Sequence, residues 1–184
     1  MIPARRLFAA ALFAVGALVS TSLPAAAATA TATVTGGTLG FVAAPASTGF
    51  SVSLTGRDVV ATATQTFDVG DATGSGAGWN ITATSTTFAT GAHSLATTSV
   101  TVPSVPTVGC DSGASCTTAT NGTSYPYTLP AGSTAPTATK IFTAGANTGL
   151  GNQTVTLAFQ LAIPANAFAG NYSSTWTYTL VSGP

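Results

Sequence analysis

The chain has 184 residues, only 4% of them charged, and a formal net charge of zero. Ordinary globular proteins carry roughly 25% charged residues, so this chain lacks the basic patch that nucleic acids or anionic membranes require. Glu is absent and His93 is the only histidine, which leaves few side chains for catalysis. Thr, Ser, Asn and Gly must supply the solubility that charges usually give.

The first 28 residues have the order of a secretory signal peptide. Two arginines open the segment, an apolar run follows at 7–19, and an Ala-x-Ala site ends it. An uncleaved membrane anchor is the alternative, but the run is shorter than the ~20 residues that a transmembrane helix needs. We therefore expect 1–28 to be removed, leaving 29–184 as one secreted domain that makes no membrane contact after cleavage.

Attachment to a cell surface would have to be non-covalent. No cysteine that could carry a lipid follows the signal region, and no Leu-Pro-x-Thr-Gly sorting sequence precedes a hydrophobic tail at the end of the chain. We expect any retention at a surface to depend on binding.

After residue 28 the pattern is that of β-strands. Short runs of β-branched and aromatic residues alternate with Thr or Ser, and Gly or Pro separates the runs. The sequence therefore predicts an all-β domain, an antiparallel β-sandwich of the Ig-like or Greek-key type. The predicted strands are, in chain order, 31–35, 38–43, 50–54, 64–69, 79–87, 94–102, 137–143, 154–163 and 172–181.

Two of these strands have the clearest alternation. In 154–163, large apolar side chains alternate with Thr, Ala and Gln, which predicts one buried face and one face in solvent. In 172–181 the large side chains again share one side, which we expect to face inward. They are Tyr172, Trp176, Tyr178 and Leu180.

The two cysteines, Cys110 and Cys116, enclose five residues within a Pro-, Gly- and Ser-rich segment at 103–136. We predict that this segment is a long loop or a short inserted hairpin. In an exported protein the pair is expected to form a disulfide; zinc binding is the rival, but no histidine is near enough in sequence to complete a site. A disulfide across so short a loop would be a local staple.

No arrangement typical of catalysis or metal binding is found. A nucleophilic triad needs a histidine with an acidic partner, and His93 has none near it in sequence. Calcium binding by Asp68 and Asp71 stays open, although the segment lacks the run of oxygen ligands of a known calcium loop. An Asp that begins a Gly-rich turn more often bonds its own backbone. We expect no enzyme activity, no metal and no cofactor.

Two stretches carry a family resemblance. In 67–88, an Asp precedes a Gly-rich turn, and Gly-Trp79-Asn80-Ile81 then enters a strand. In 149–184, Tyr178-Thr-Leu180 lies close to the chain end, with Trp176 two residues before it. Together they resemble the WxL cell-wall-surface domain of Gram-positive bacteria, which has Trp-x-Leu at both places.

The resemblance implies a non-enzymatic β-sandwich that associates non-covalently with peptidoglycan, and family members also assemble with other wall-surface proteins. A wall-binding module is therefore the first hypothesis, since aromatic faces suit neutral sugar rings. A subunit of a surface assembly is the second, since an uncharged edge strand can template strand addition. A position in the core is the alternative for the candidate binding residues, which are Trp79, Asn80, Ile81, Trp176, Tyr178 and Leu180.

Overall fold

The computed structural model describes residues 28–184. The expected signal peptide therefore lies outside the described residues except for its last residue. The chain divides into two units, Met1–Val34 and Thr35–Pro184. The described part of the first unit contains no strand, so the strand predicted at 31–35 is not formed. Its alternating Thr and Ala offer little apolar surface to bury, and burial is what stabilises a strand.

Residues 28–184 form twelve β-strands and no helix, and hence no helix that could cross a membrane. The high β-propensity of Thr and Val and the absence of helical periodicity in the sequence explain why these residues form strands and no helix. In chain order the strands are β1 (Leu39–Phe41), β2 (Val59–Asp71), β3 (Trp79–Thr86), β4 (Ala89–Thr90), β5 (His93–Ser94), β6 (Val100–Val102), β7 (Thr107–Cys110), β8 (Tyr127–Thr128), β9 (Ala131–Gly132), β10 (Thr139–Ala144), β11 (Gly151–Ile163) and β12 (Trp176–Ser182).

The strands pair into two main sheets. In the first sheet the order is β1-β2-β11-β6-β8, and β7 also pairs with β11. In the second sheet the order is β10-β3-β12, and β9 adds a short parallel pairing to β3. All other pairings are antiparallel, including the separate β4–β5 hairpin. The predicted all-β antiparallel sandwich is confirmed.

The core lies between the two sheets and follows the alternation of the long strands. β2 and β11 pair without a break from Val59 opposite Ile163 to Asp71 opposite Gly151. Along both strands every second side chain points inward, which is the period that places one face in the core. The largest side chains with no exposed surface are Trp79, Phe67, Phe142, Phe159, Ile81, Leu129, Ile141 and Leu157.

Besides 31–35, three predicted strands differ from the structure. The strand predicted at 172–181 begins only at Trp176, so Tyr172, expected on its inward face, lies instead in the loop after β11. The segment 50–54 forms no strand, because only Phe50 packs against the core, while Val52 and Leu54 stay 42% and 41% exposed. The predicted strand at 94–102 is formed only at its two ends, as parts of β5 and β6. The segment 103–136 contributes β7 and β8 to the first sheet and β9 to the second.

The Gly-rich turn between β2 and β3 is held by Asp71. Its Oδ1 accepts hydrogen bonds from Thr73 N at 3.0 Å and from Thr73 Oγ1 at 2.7 Å. The glycine before Trp79, Gly78, has φ +74°, and a side chain on it would collide with the Ala144 carbonyl oxygen. The turn therefore needs glycine where the chain enters β3.

Candidate functional site

The two segments of the family resemblance pair with each other. They lie about a hundred residues apart in sequence, on β3 and β12, which are adjacent antiparallel strands. Ile81 lies opposite Leu180, Asn80 opposite Val181, and Ala83 opposite Tyr178. The two motifs thus form one continuous patch of the second sheet.

Trp79 lies in the core, with no exposed surface. Its indole Nε1 donates a hydrogen bond to the Gly149 carbonyl oxygen at 3.0 Å. Its ring stacks on Phe142, with 5.4 Å between ring centroids. Ile81 on the same face is equally buried. Neither side chain has surface available to a ligand in this conformation.

Asn80 points to the opposite face of β3 and is only 4% exposed. Its Nδ2 donates a hydrogen bond to the Gly183 carbonyl oxygen at 2.7 Å. This bond fixes the residues after β12 beside the start of β3. Asn80 therefore holds the last residues of the chain against β3.

Trp176 begins β12 and lies in a cluster of aromatic rings. Its ring centroid is 4.8 Å from that of Phe159 and 6.1 Å from those of Phe50 and Phe88. Trp176 is half-buried, so part of its surface stays in solvent. Its cluster joins the core to the surface at one end of the sandwich.

Tyr178 and Leu180 point inward from β12 and are half-buried. The Tyr178 ring packs edge-on against Phe67, with 4.7 Å between centroids. Its hydroxyl is shielded from solvent and has no hydrogen-bond partner within residues 28–184. Burial, followed by the nearby Tyr127, raises the pKa of Tyr178 above its ordinary value.

A cleft of about 630 Å³ opens at the end of the sandwich where β2 begins and β11 ends. We call it the aromatic cleft. Its walls come from three separate parts of the chain: the segment before β2, the turn around β4 and β5, and the loop after β11. The lining residues are 48–54, Phe88, Leu95, Leu161, Ile163 and 167–172.

Phe168 is the most exposed aromatic residue of this cleft, at 60%. Its ring stacks on His93, with 3.7 Å between centroids and an interplanar angle of 13°. The hydroxyl of Tyr172 donates a hydrogen bond to the Phe168 carbonyl oxygen at 3.0 Å. Side chain and backbone of Phe168 are thus both held, and its ring is presented in a fixed position.

The lining of the aromatic cleft is neutral. Hydroxyl and amide groups of Thr48, Ser51, Ser53 and Asn171 lie among its apolar side chains. A smaller cleft of about 440 Å³ shares Thr48, Phe88 and Tyr172 with it and extends to Trp176 and Tyr178. Among residues 28–184, no charged side chain lines either cleft. Such a surface suits a neutral ligand that offers apolar faces and hydroxyl groups.

Comparison with known families decides the identity of the chain. A family model described as the WxL domain, surface cell wall-binding, matches residues 24–184. The chain belongs to the WxL family. No curated protein and no solved structure matches it. This WxL domain is a cell-wall-binding domain, and its predicted location at the cell surface is confirmed.

The aromatic cleft of this WxL domain has no signature in its sequence. Phe50, Phe88 and Phe168 come from segments that are far apart in sequence. Phe88 and Phe168 lie within the two stretches of family resemblance, 67–88 and 149–184, but outside their motif residues. The one available signal was the alternation in 50–54, which predicted a strand. It instead marked a segment whose apolar side chains line the cleft.

The cysteine pair and the two aspartates considered for calcium lie away from the cleft. The predicted disulfide between Cys110 and Cys116 is present, and Cys110 pairs with Gln153 near the opposite end of β11. In residues 28–184 no three His, Cys, Asp or Glu side chains come together as a metal site. Asp68 lies near Asp111, and one carboxylate oxygen of each is shielded without a hydrogen-bond partner in the part of the chain that the structure describes. Burial, and then the Asp111 carboxylate, raise the pKa of Asp68.

Proposed function

We propose that this WxL domain holds the cell wall by binding peptidoglycan non-catalytically, and that the aromatic cleft contacts the glycan. One observation carries the proposal: the exposed ring of Phe168 is held in a neutral, hydroxyl-lined cleft. Aromatic faces bind the apolar faces of sugar rings, and hydroxyl and amide groups bind sugar hydroxyls. A cleft of about 630 Å³ is within the size range of small-ligand pockets.

The lining of the cleft supports binding without cleavage. Glycoside hydrolysis needs a pair of carboxyl groups on either side of the scissile bond. Neither the aromatic cleft nor the smaller cleft is lined by an Asp, and Glu is absent from the chain. The bound glycan is therefore released unchanged.

Pelleting with purified peptidoglycan sacculi tests the proposal. The protein should pellet to the same extent at about 0.1 M and about 1 M NaCl, because a neutral interface offers salt few charges to screen. Recovery of all protein in the supernatant at both salt concentrations would reject peptidoglycan binding.

Phe168→Ala tests the role of the cleft. This variant should lose most of the pelleted fraction while its melting temperature changes little, since the ring is 60% exposed. Val105→Ala is the control, because Val105 is 65% exposed and lies outside both clefts. Equal pelleting of Phe168→Ala and the wild type would remove the cleft from the proposal.

A further inference from the structure

Residues 43–57, between β1 and β2, form part of the wall of both clefts. We call this segment the cleft strap. Its residues 48–54 line the aromatic cleft, and its residues 45–48 line the smaller cleft. A displacement of the strap would therefore change the shape of both clefts at once.

The backbone of the cleft strap makes no hydrogen bond within residues 28–184, and the strap contains no strand. The last backbone hydrogen bond before it runs from Val42 N to the Asp68 carbonyl oxygen at 2.9 Å. Loops longer than ~12–15 residues without secondary structure are uncommon in compact domains, and they often serve as lids or binding loops. Segments with so few internal bonds open at a low cost in free energy.

Two side chains hold the middle of the strap in place. Among its apolar side chains, only Phe50 packs against the core that the described residues form. The Phe50 ring centroid lies 5.9 Å from that of Phe88 and 6.1 Å from that of Trp176. The Thr48 hydroxyl donates a hydrogen bond to Oε1 of the buried Gln65. Release of these contacts would free the strap without breaking a pair of the two main sheets.

The two ends of the strap are fixed, so it can move only as a hinged segment. The bond from Val42 N holds its start against β2. Beyond its end, Asp58 Oδ1 accepts a hydrogen bond from Ala165 N at 2.8 Å. Gly56, next to this end, has φ +76° and no atom within 4 Å of the place of a Cβ, which leaves room for rotation. Hinges are commonly a few such residues at the ends of a moving loop.

We propose that the cleft strap is a lid that opens to admit the glycan, an inference that rests on the proposed function for the identity of the ligand. In the closed state described above, Phe50 covers the rings of Phe88 and Trp176. Opening withdraws Phe50 and frees both rings for an apolar face of the ligand. The hydroxyl groups of Ser51 and Ser53 then close over the ligand and bond to its hydroxyls.

Alkylation of a single introduced cysteine measures this opening without any ligand. Leu161→Cys places a thiol on the wall of the aromatic cleft, where Leu161 is 3% exposed. Leu157→Cys is the matched control, because Leu157 lies on the same strand and face, is fully buried and lines neither cleft.

Iodoacetamide should modify Leu161→Cys faster than Leu157→Cys. Low urea concentrations should hardly change the rate for Leu161→Cys, because opening of the strap exposes little surface. The rate for Leu157→Cys should rise steeply with urea, because this thiol becomes accessible only when the whole domain unfolds.

Phe50→Ala tests whether Phe50 closes the lid. It should raise the ratio of the Leu161→Cys rate to the Leu157→Cys rate roughly tenfold or more, because two aromatic contacts are lost. Val52→Ala is the control within the strap, since Val52 is 42% exposed, and it should leave the ratio unchanged.

The chitin hexasaccharide, a neutral glycan probe, should slow alkylation of Leu161→Cys and leave that of Leu157→Cys unchanged. Alkylation of Leu161→Cys that the hexasaccharide does not slow would reject glycan binding in the cleft, and with it the proposed function. The lid itself is overturned by either of two results: the same urea dependence for both cysteines, or a ratio of rates that Phe50→Ala does not change.

Discussion

Trp79 and Gly149 fit together so closely that the indole ring occupies the place of any side chain on the glycine. The Trp79 Nε1 donates to the Gly149 carbonyl oxygen at 3.0 Å. A Cβ on Gly149 would collide with this same nitrogen and would approach the Cβ of Ala144 to 3.1 Å. The motif tryptophan is therefore fixed by a glycine seventy residues away in sequence.

Gly149→Ala should destabilise the domain by about 2–5 kcal/mol, the sum of left-handed backbone strain and an overpacked core. Gly149 has φ +80°. Gly56→Ala is the control, because Gly56 has φ +76° and no atom within 4 Å of the added Cβ; it should cost only the strain of about 1–2 kcal/mol. Urea unfolding of both variants measures the difference. Equal losses of unfolding free energy in the two variants would mean that the Trp79 ring moves aside without cost.

Trp79→Ala should lower the free energy of unfolding by about 3–5 kcal/mol, the usual cost of removing a large buried aromatic side chain. Sacculus binding should persist at temperatures at which the variant remains folded, since Trp79 has no exposed surface. Thermal unfolding and sacculus pelleting of the same sample measure the stability and the wall binding of this variant. An unchanged melting temperature with lost pelleting would instead assign Trp79 to the wall contact.

Asp68 should make the domain less stable as pH rises. Burial and the nearby Asp111 raise the pKa of Asp68 in the folded state above 3.8, so the folded protein holds this proton more tightly than the unfolded chain. The contribution to stability is full below the unfolded pKa and is lost as pH rises through the folded pKa. The free energy of unfolding, measured in urea, should therefore include a contribution that decreases between about pH 3 and pH 7.

Asp68→Asn should remove that component and raise stability at neutral pH relative to the wild type. Asp111→Asn should have the same direction of effect, because the Asp111 carboxylate is one cause of the raised pKa of Asp68. A pH profile of Asp68→Asn that superimposes on that of the wild type would contradict this account.

Loss of the disulfide should cost about 2 kcal/mol, because closing so short a loop removes little entropy from the unfolded chain. Cys110→Ser/Cys116→Ser is the variant, and its urea midpoint should equal that of the reduced wild type. Wall binding should be unchanged, because the disulfide lies near the start of β11 and the aromatic cleft near its end. Reduced pelleting by a folded variant would mean that the end of the sandwich near the disulfide contributes to wall binding.

The sequence predicts those strands whose alternating pattern is complete within a few consecutive residues. The sequence predicts β11 at 154–163, and the strand extends over Gly151–Ile163, because large apolar side chains alternate without interruption and the following proline ends the strand. The segment 50–54 has the same alternation but no partner strand, and pairing depends on residues far away in the chain. Alternation alone cannot distinguish a strand from a segment that covers a cleft.

The candidate site was predictable only as far as the motifs. Trp79, Asn80 and Ile81 were recognised as motif residues, yet their burial depends on Gly149 and the chain end, which contact them only in the folded protein. The aromatic cleft could not be predicted, because its walls meet only after the two sheets have packed.

The unbroken pairing of β2 with β11 also determines how the molecule would carry a mechanical load. This ladder runs from the cleft end to the disulfide end, through thirteen residues on each strand. Its hydrogen bonds lie perpendicular to the strands. Tension that pulls the two strands apart along their length therefore shears the whole ladder at once instead of peeling it open bond by bond.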